Sequence, residues 1–76
     1  MIDTHKYLIH VERGPRNCSA YSPDVPGCVA TGRTVEECVA EMRSALAFHF
    51  EGMREHGEPI PEPSGPGVYV EPEVAA

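Results

Sequence analysis

Apolar side chains recur at helical spacing in one stretch of this chain and alternate in another. Together the two patterns predict a sheet with one helix laid across it. Val35, Cys38, Val39, Met42, Leu46, Phe50 and Met53 follow the helical period. At about 100° per residue they fall within roughly a third of the circumference, so one stripe is buried. Thr34 and Glu37 have the spacing of a capping box, worth about 1 kcal/mol at a helix start. Gly57 can adopt the left-handed conformation that ends a helix, and Pro59 cannot resume one. The predicted helix runs over 34–57, and no other stretch could cover a sheet.

Alternation marks the strands. Over 5–12, Tyr7, Ile9 and Val11 share one face, and Lys6, His10 and Glu12 share the other, which predicts a half-buried strand. Gly14 and Pro15 supply a turn, and a second strand is expected over 18–21, completing a hairpin. Ser22-Pro23-Asp24-Val25-Pro26-Gly27 reads as a rigid exposed connection, with Pro26-Gly27 at the centre of a type II turn. A third short strand is expected over 28–31. After the helix, four prolines within 58–66 make a stiff return path to a fourth strand, 68–70. That strand is expected to end at Pro72, with the last four residues frayed. The fold class is therefore α+β in the order β-β-β-α-β. Its sheet is a three-stranded antiparallel meander with a fourth strand parallel to the first, since a helix crossover joins parallel neighbours.

At 76 residues the chain is expected to form a single domain, 1–76, with no second core. A domain of this size hides only about 60% of its unfolded surface, which favours self-association. The net charge of −6 repels a phosphate backbone or an anionic membrane and attracts a basic protein. Direct DNA binding is accordingly not expected. The three cysteines include no C-x-x-C pair, so a reducing, cytoplasmic compartment fits better than a disulfide framework. No apolar run approaches the ~20 residues of a membrane span.

No catalytic set emerges from the residues. The spacing of the histidines and cysteines matches no zinc pattern, so neither metal nor other cofactor is expected. The cysteines read as small core residues. His49 sits at the margin of the apolar stripe, where a partly buried ring is the plain reading and a ligand or base the alternative. Glu36, Glu37 and Glu41 lie where the helix dipole favours negative charge. Asp24, between two prolines, either bonds its own backbone or meets a partner from a rigid loop. Phe48 projects opposite the stripe amid Ala40, Ser44, Ala47 and Gly52, where it is either a lone surface aromatic or an interface. The expected binding residues are thus Pro23, Asp24, Val25, Pro26, Gly27 and Phe48.

The run from Ser22 to Gly32, followed by Thr34-Val35-Glu36-Glu37, resembles the HicB-like antitoxin family. Ile60-Pro61-Glu62-Pro63-Ser64 with Val68-Tyr69-Val70 resembles that family's return to its last strand. The resemblance covers about 6–71 and implies a truncated ribonuclease H architecture without enzyme activity. It also implies a partner: a small basic HicA-type ribonuclease toxin, with a double-stranded-RNA-binding-like fold and a catalytic histidine. Many members continue into a DNA-binding domain, and the end of this chain at Ala76 leads one to expect none here. The expected function is a protein-binding module that neutralises such a toxin by occlusion, as a homodimer. One alternative is a solitary module that regulates another protein or self-associates. A residual nuclease is the weakest reading, because Asp3, Glu12 and Glu71 do not look convergent in sequence, as two-metal hydrolysis requires. A small basic reading frame next to the gene separates the antitoxin from the solitary module.

Overall fold

The computed structural model describes residues 2–71. Its elements are a single 3-10 turn, Thr4–Lys6, then β1 (Tyr7–Arg13), β2 (Cys18–Ser22), β3 (Val25–Gly32), α1 (Val35–Glu55) and β4 (Gly65–Glu71). The sheet order is β3-β2-β1-β4. β1 and β3 each pair antiparallel with β2, and β1 pairs parallel with β4. The expected α+β arrangement is therefore the one observed. Pro72 and the last four residues lie outside the described residues.

Both helix ends follow the local signals. Thr34 Oγ1 accepts a hydrogen bond from the Glu37 amide at 3.1 Å, the forward half of the capping box. At the other end Gly57 has φ +68°. The Gly57 amide donates to Arg54 O and the Glu58 amide to Met53 O, so both terminal carbonyls are satisfied by a Schellman arrangement. The stripe divides in depth: Cys38, Met42, Leu46 and Phe50 are buried, whereas Val35, Val39 and Met53 pack at its border.

Those four helix residues meet Tyr7, Ile9 and Val11 from β1, Cys18 and Ala20 from β2, and Val25 and Cys28 from β3. Tyr7 and Phe50 stack tilted with ring centres 4.9 Å apart. The Tyr7 hydroxyl donates to the Pro61 carbonyl and pins the proline-rich return over the core. Burial, then the nearby carboxylates of Glu62 and Asp24, pushes the Tyr7 phenol above its ordinary pKa. Arg43 donates to the Thr4 carbonyl at 2.7 Å, fastening the helix to the N-terminal turn.

Three local expectations need correction. The first strand starts at Tyr7, not His5, because Asp3 captures the His5 amide at 3.0 Å and winds that segment into the 3-10 turn. The hairpin between β2 and β3 turns at Pro23-Asp24, with Ser22 paired to Val25, so the turn precedes Pro26-Gly27. Pro26 and Gly27 instead lie within β3, at the irregularity that moves the register from Ser22↔Val25 to Tyr21↔Val29. Gly27 does have positive φ, +85°, as a bulged position there allows. Because β3 is an edge strand, the missing proline amide is tolerated.

Candidate partner-binding surface

The six sequence-derived candidates separate into three environments. Val25 is only 2% exposed and belongs to the core, which corrects its assignment to a partner. Its pairing with Ser22 turns its side chain under the helix. Asp24 bonds another segment of the chain and not its own backbone. One carboxylate oxygen accepts from both the amide and the hydroxyl of Ser64, each at 2.9 Å. That pair of bonds ties the β2–β3 turn to the segment entering β4. Pro23, Pro26 and Gly27 are exposed.

Phe48 is 80% exposed, the most open large apolar side chain among the described residues. An open groove runs from Gly27, Cys28 and Val29 on β3 to Phe48, Gly52 and Met53 on α1. Gly27 and Phe48, distant in sequence, thus line one surface, whereas Pro23 and Asp24, in the turn of the same hairpin, lie outside that groove and Asp24 is bonded to Ser64. His49 lies in the same groove, partly buried and edge-on to Phe50 with centres 6.4 Å apart. That matches the plain reading of a ring at the stripe's margin.

Along α1 the residues three, four and seven positions from Phe48 are Glu41, Ser44, Ala45, Glu51, Gly52 and Glu55. Residues at these steps share a helix face. All but Ala45 and Gly52 are exposed, and those two are half-buried. Arg43 and Arg54 fall on another side by the same periodicity, so the face around Phe48 carries one sign of charge. Sequence reasoning found Phe48 but missed this acidic collar, although helical spacing alone reveals it.

The opposite, helix-free face of the sheet has its own constellation. The register aligns Val29, Tyr21, His10 and Tyr69 in one row across all four strands. His10 stacks on Tyr21 and meets Tyr69 edge-on, both with centres 4.9 Å apart. In the next row Glu12 pairs directly with Glu71. The expectation that the carboxylates do not converge is therefore corrected for Glu12 and Glu71, whereas Asp3 caps the 3-10 turn at His5. Parallel pairing of β4 beside β1 joins residues that lie far apart in sequence.

A family model described as the HicB_like antitoxin of bacterial toxin-antitoxin system matches residues 7–73. The chain belongs to the HicB-like antitoxin family. An uncharacterized 14.9 kDa protein in the rep-hol intergenic region of Haemophilus phage HP1 is 40% identical over 56 residues, which are 74% of this chain and 42% of the phage protein. The HicB-like chain thus spans less than half of that relative. A UPF0150 protein of Thermoplasma acidophilum is 29% identical over 48 residues, 63% of this chain and 70% of that one. Among solved structures, a chain of a HicA3 and HicB3 toxin-antitoxin complex superposes with a TM-score of 0.67 at 22% identity. The match covers 88% of this chain and 98% of the other, and it establishes a shared fold. Among the described residues, no helix is long and apolar enough to cross a membrane.

Proposed function

We propose that this HicB-like domain neutralises a small basic ribonuclease of the HicA type by covering it, with no chemistry of its own. The observation that carries the reading is the family match across residues 7–73. Two physical features support it. The net charge of −6 favours encounter with a cationic protein, and such steering weakens as salt rises. The solvent face of α1 offers an aromatic anchor, Phe48, inside an acidic collar. Interfaces draw most of their energy from such central anchors. Pro23 and Pro26 add rigid backbone on either side of Asp24, which lowers the entropy lost on docking, and Gly27 lines the groove beside Phe48. Asp24 contributes indirectly by holding that hairpin to Ser64.

Co-expression is the test. Cells carrying the cognate toxin grow when this chain is present and stop when it is absent. Phe48→Asp, on a side chain that supports nothing in the core, abolishes rescue while leaving the domain folded. Rescue by Phe48→Asp at wild-type level would move the interface off α1, and no rescue by the wild type against any neighbouring basic protein would leave the solitary module.

Self-association has its own support in the two open edges, β3 and β4. Like-charged α1 faces repel each other, so the homodimer forms through edge-strand pairing. Sedimentation of Phe48→Asp then gives the same dimer as the wild type, and a dimer lost in that variant would place the contact on the helix instead.

A further inference from the structure

On the helix-free face of the sheet, we propose that His10, Glu12 and Glu71 form a binding site for one divalent first-row metal ion of the zinc class. Candidate ligand atoms of the three side chains all lie within 4.8 Å of one another. His10 Nε2 and Glu71 Oε2 are 3.5 Å apart.

Three independent features of this cluster call for a cation. First, Glu12 and Glu71 occupy directly paired positions on adjacent strands. Like charges at such positions repel, and a shared cation reverses the sign of that interaction. Second, His10 Nε2 is shut off from solvent and completes no hydrogen bond among the described residues, with Glu71 Oε2 held at 3.5 Å. A buried ring nitrogen left in that state is costly unless something binds it. Third, the other ring nitrogen is already engaged: Tyr21 Oη lies 3.2 Å from His10 Nδ1. In the tautomer whose Nδ1–H donates to Tyr21 Oη, the one a bound cation would select, the Nε2 lone pair faces the two carboxylates. A ligating histidine is typically held this way, its second nitrogen fixed by an outer partner. Tyr69, edge-on to the same ring, restricts it further.

The ligand set selects the ion. One imidazole and two carboxylates suit zinc and its first-row neighbours, while calcium and magnesium prefer oxygen alone. The Glu71 side chain is about half exposed, so it can rotate the short distance needed to close on a metal. Three protein donors leave a fourth position open to water or to a partner's side chain. The inference concerns this face alone and is independent of toxin binding through α1.

Zinc ion alone is the probe. The full chain is titrated with zinc in metal-free buffer against a chromogenic zinc indicator, and ring-nitrogen spectra of labelled histidine are recorded in parallel. One zinc binds per chain, and the His10 Nε2 resonance moves. Glu71→Gln and His10→Ala each weaken binding by about tenfold or more. His5→Ala, in the 3-10 turn, leaves it unchanged. Tyr21→Phe, which frees Nδ1 without touching the metal, weakens it less and restores ring flipping. Because Glu71→Gln alters one oxygen at a half-exposed edge, it keeps the fold and decides the matter should His10→Ala unfold. Wild-type affinity in Glu71→Gln, no binding at millimolar zinc, or binding abolished by cysteine replacement alone would each overturn the proposal.

Discussion

Phe48 and Phe50 are two residues apart on one helix and live in different worlds. Phe50 is 1% exposed against Tyr7, while Phe48 is 80% exposed on the helix face that carries Glu41, Glu51 and Glu55. The same side chain contributes to stability in one place and is available for recognition in the other. Nothing intrinsic to phenylalanine decides this. A rotation of about 200° around the helix axis does. The lesson is that the buried stripe of α1 can be held fixed while its most exposed position varies, because helical phase separates the two.

The largest effect expected from breaking that division is Phe50→Ala, which should lose about 3–5 kcal/mol of stability in urea titration. A loss under about half a kcal/mol would mean that the stripe does not carry the fold. Gly32→Ala comes next, at about 1–3 kcal/mol. A methyl group there would stand 2.6 Å from the Cys38 amide nitrogen and 2.9 Å from its Cα, both backbone atoms of the first helical turn. If Gly32→Ala proves neutral, β3 does not run as close under α1 as described.

Proton linkage sharpens the comparison further. The Tyr7 phenol and the Cys28 and Cys38 thiols are all raised, chiefly by burial. The folded state therefore holds these protons more tightly than the unfolded chain. The resulting stability is complete below the ordinary values and is lost as pH rises from about 9 upward through the raised ones. Tyr7→Phe should cost about 1 kcal/mol at neutral pH through its lost bond to Pro61, and should flatten the alkaline decline. An unchanged alkaline midpoint would remove Tyr7 from that account. The smallest effect belongs to Phe48→Ala, within about half a kcal/mol in stability.

Much of the fold was legible because its signals are local. Thr34 and Gly57 mark the helix ends, and the stripe and the β1 alternation mark the buried faces. The parallel return of β4 followed from connectivity. What stayed hidden depends on tertiary neighbours. Asp24 finds Ser64 only after the return segment has crossed the sheet, so its role could not be read from its flanking prolines. Val25 looked like a loop residue until its pairing with Ser22 placed it under α1. Pro26-Gly27 had the chemistry of a turn, yet Pro23-Asp24 makes the tighter closure and leaves the later pair as a bulge. Of the candidate binding residues, Phe48 was readable from helical phase, and its link to Gly27 across the groove was not.

The central proposal, that the acidic face around Phe48 covers a basic toxin, is tested most directly by RNA cleavage. A purified HicA-type toxin is incubated with RNA and rising amounts of either the wild-type chain or Phe48→Asp. Cleavage should fall to background near equimolar wild type. Phe48→Asp should bind about 30-fold more weakly, the equivalent of an anchor worth about 2 kcal/mol. Undiminished cleavage in the presence of a large excess of wild type, or identical inhibition curves for the two chains, would contradict it.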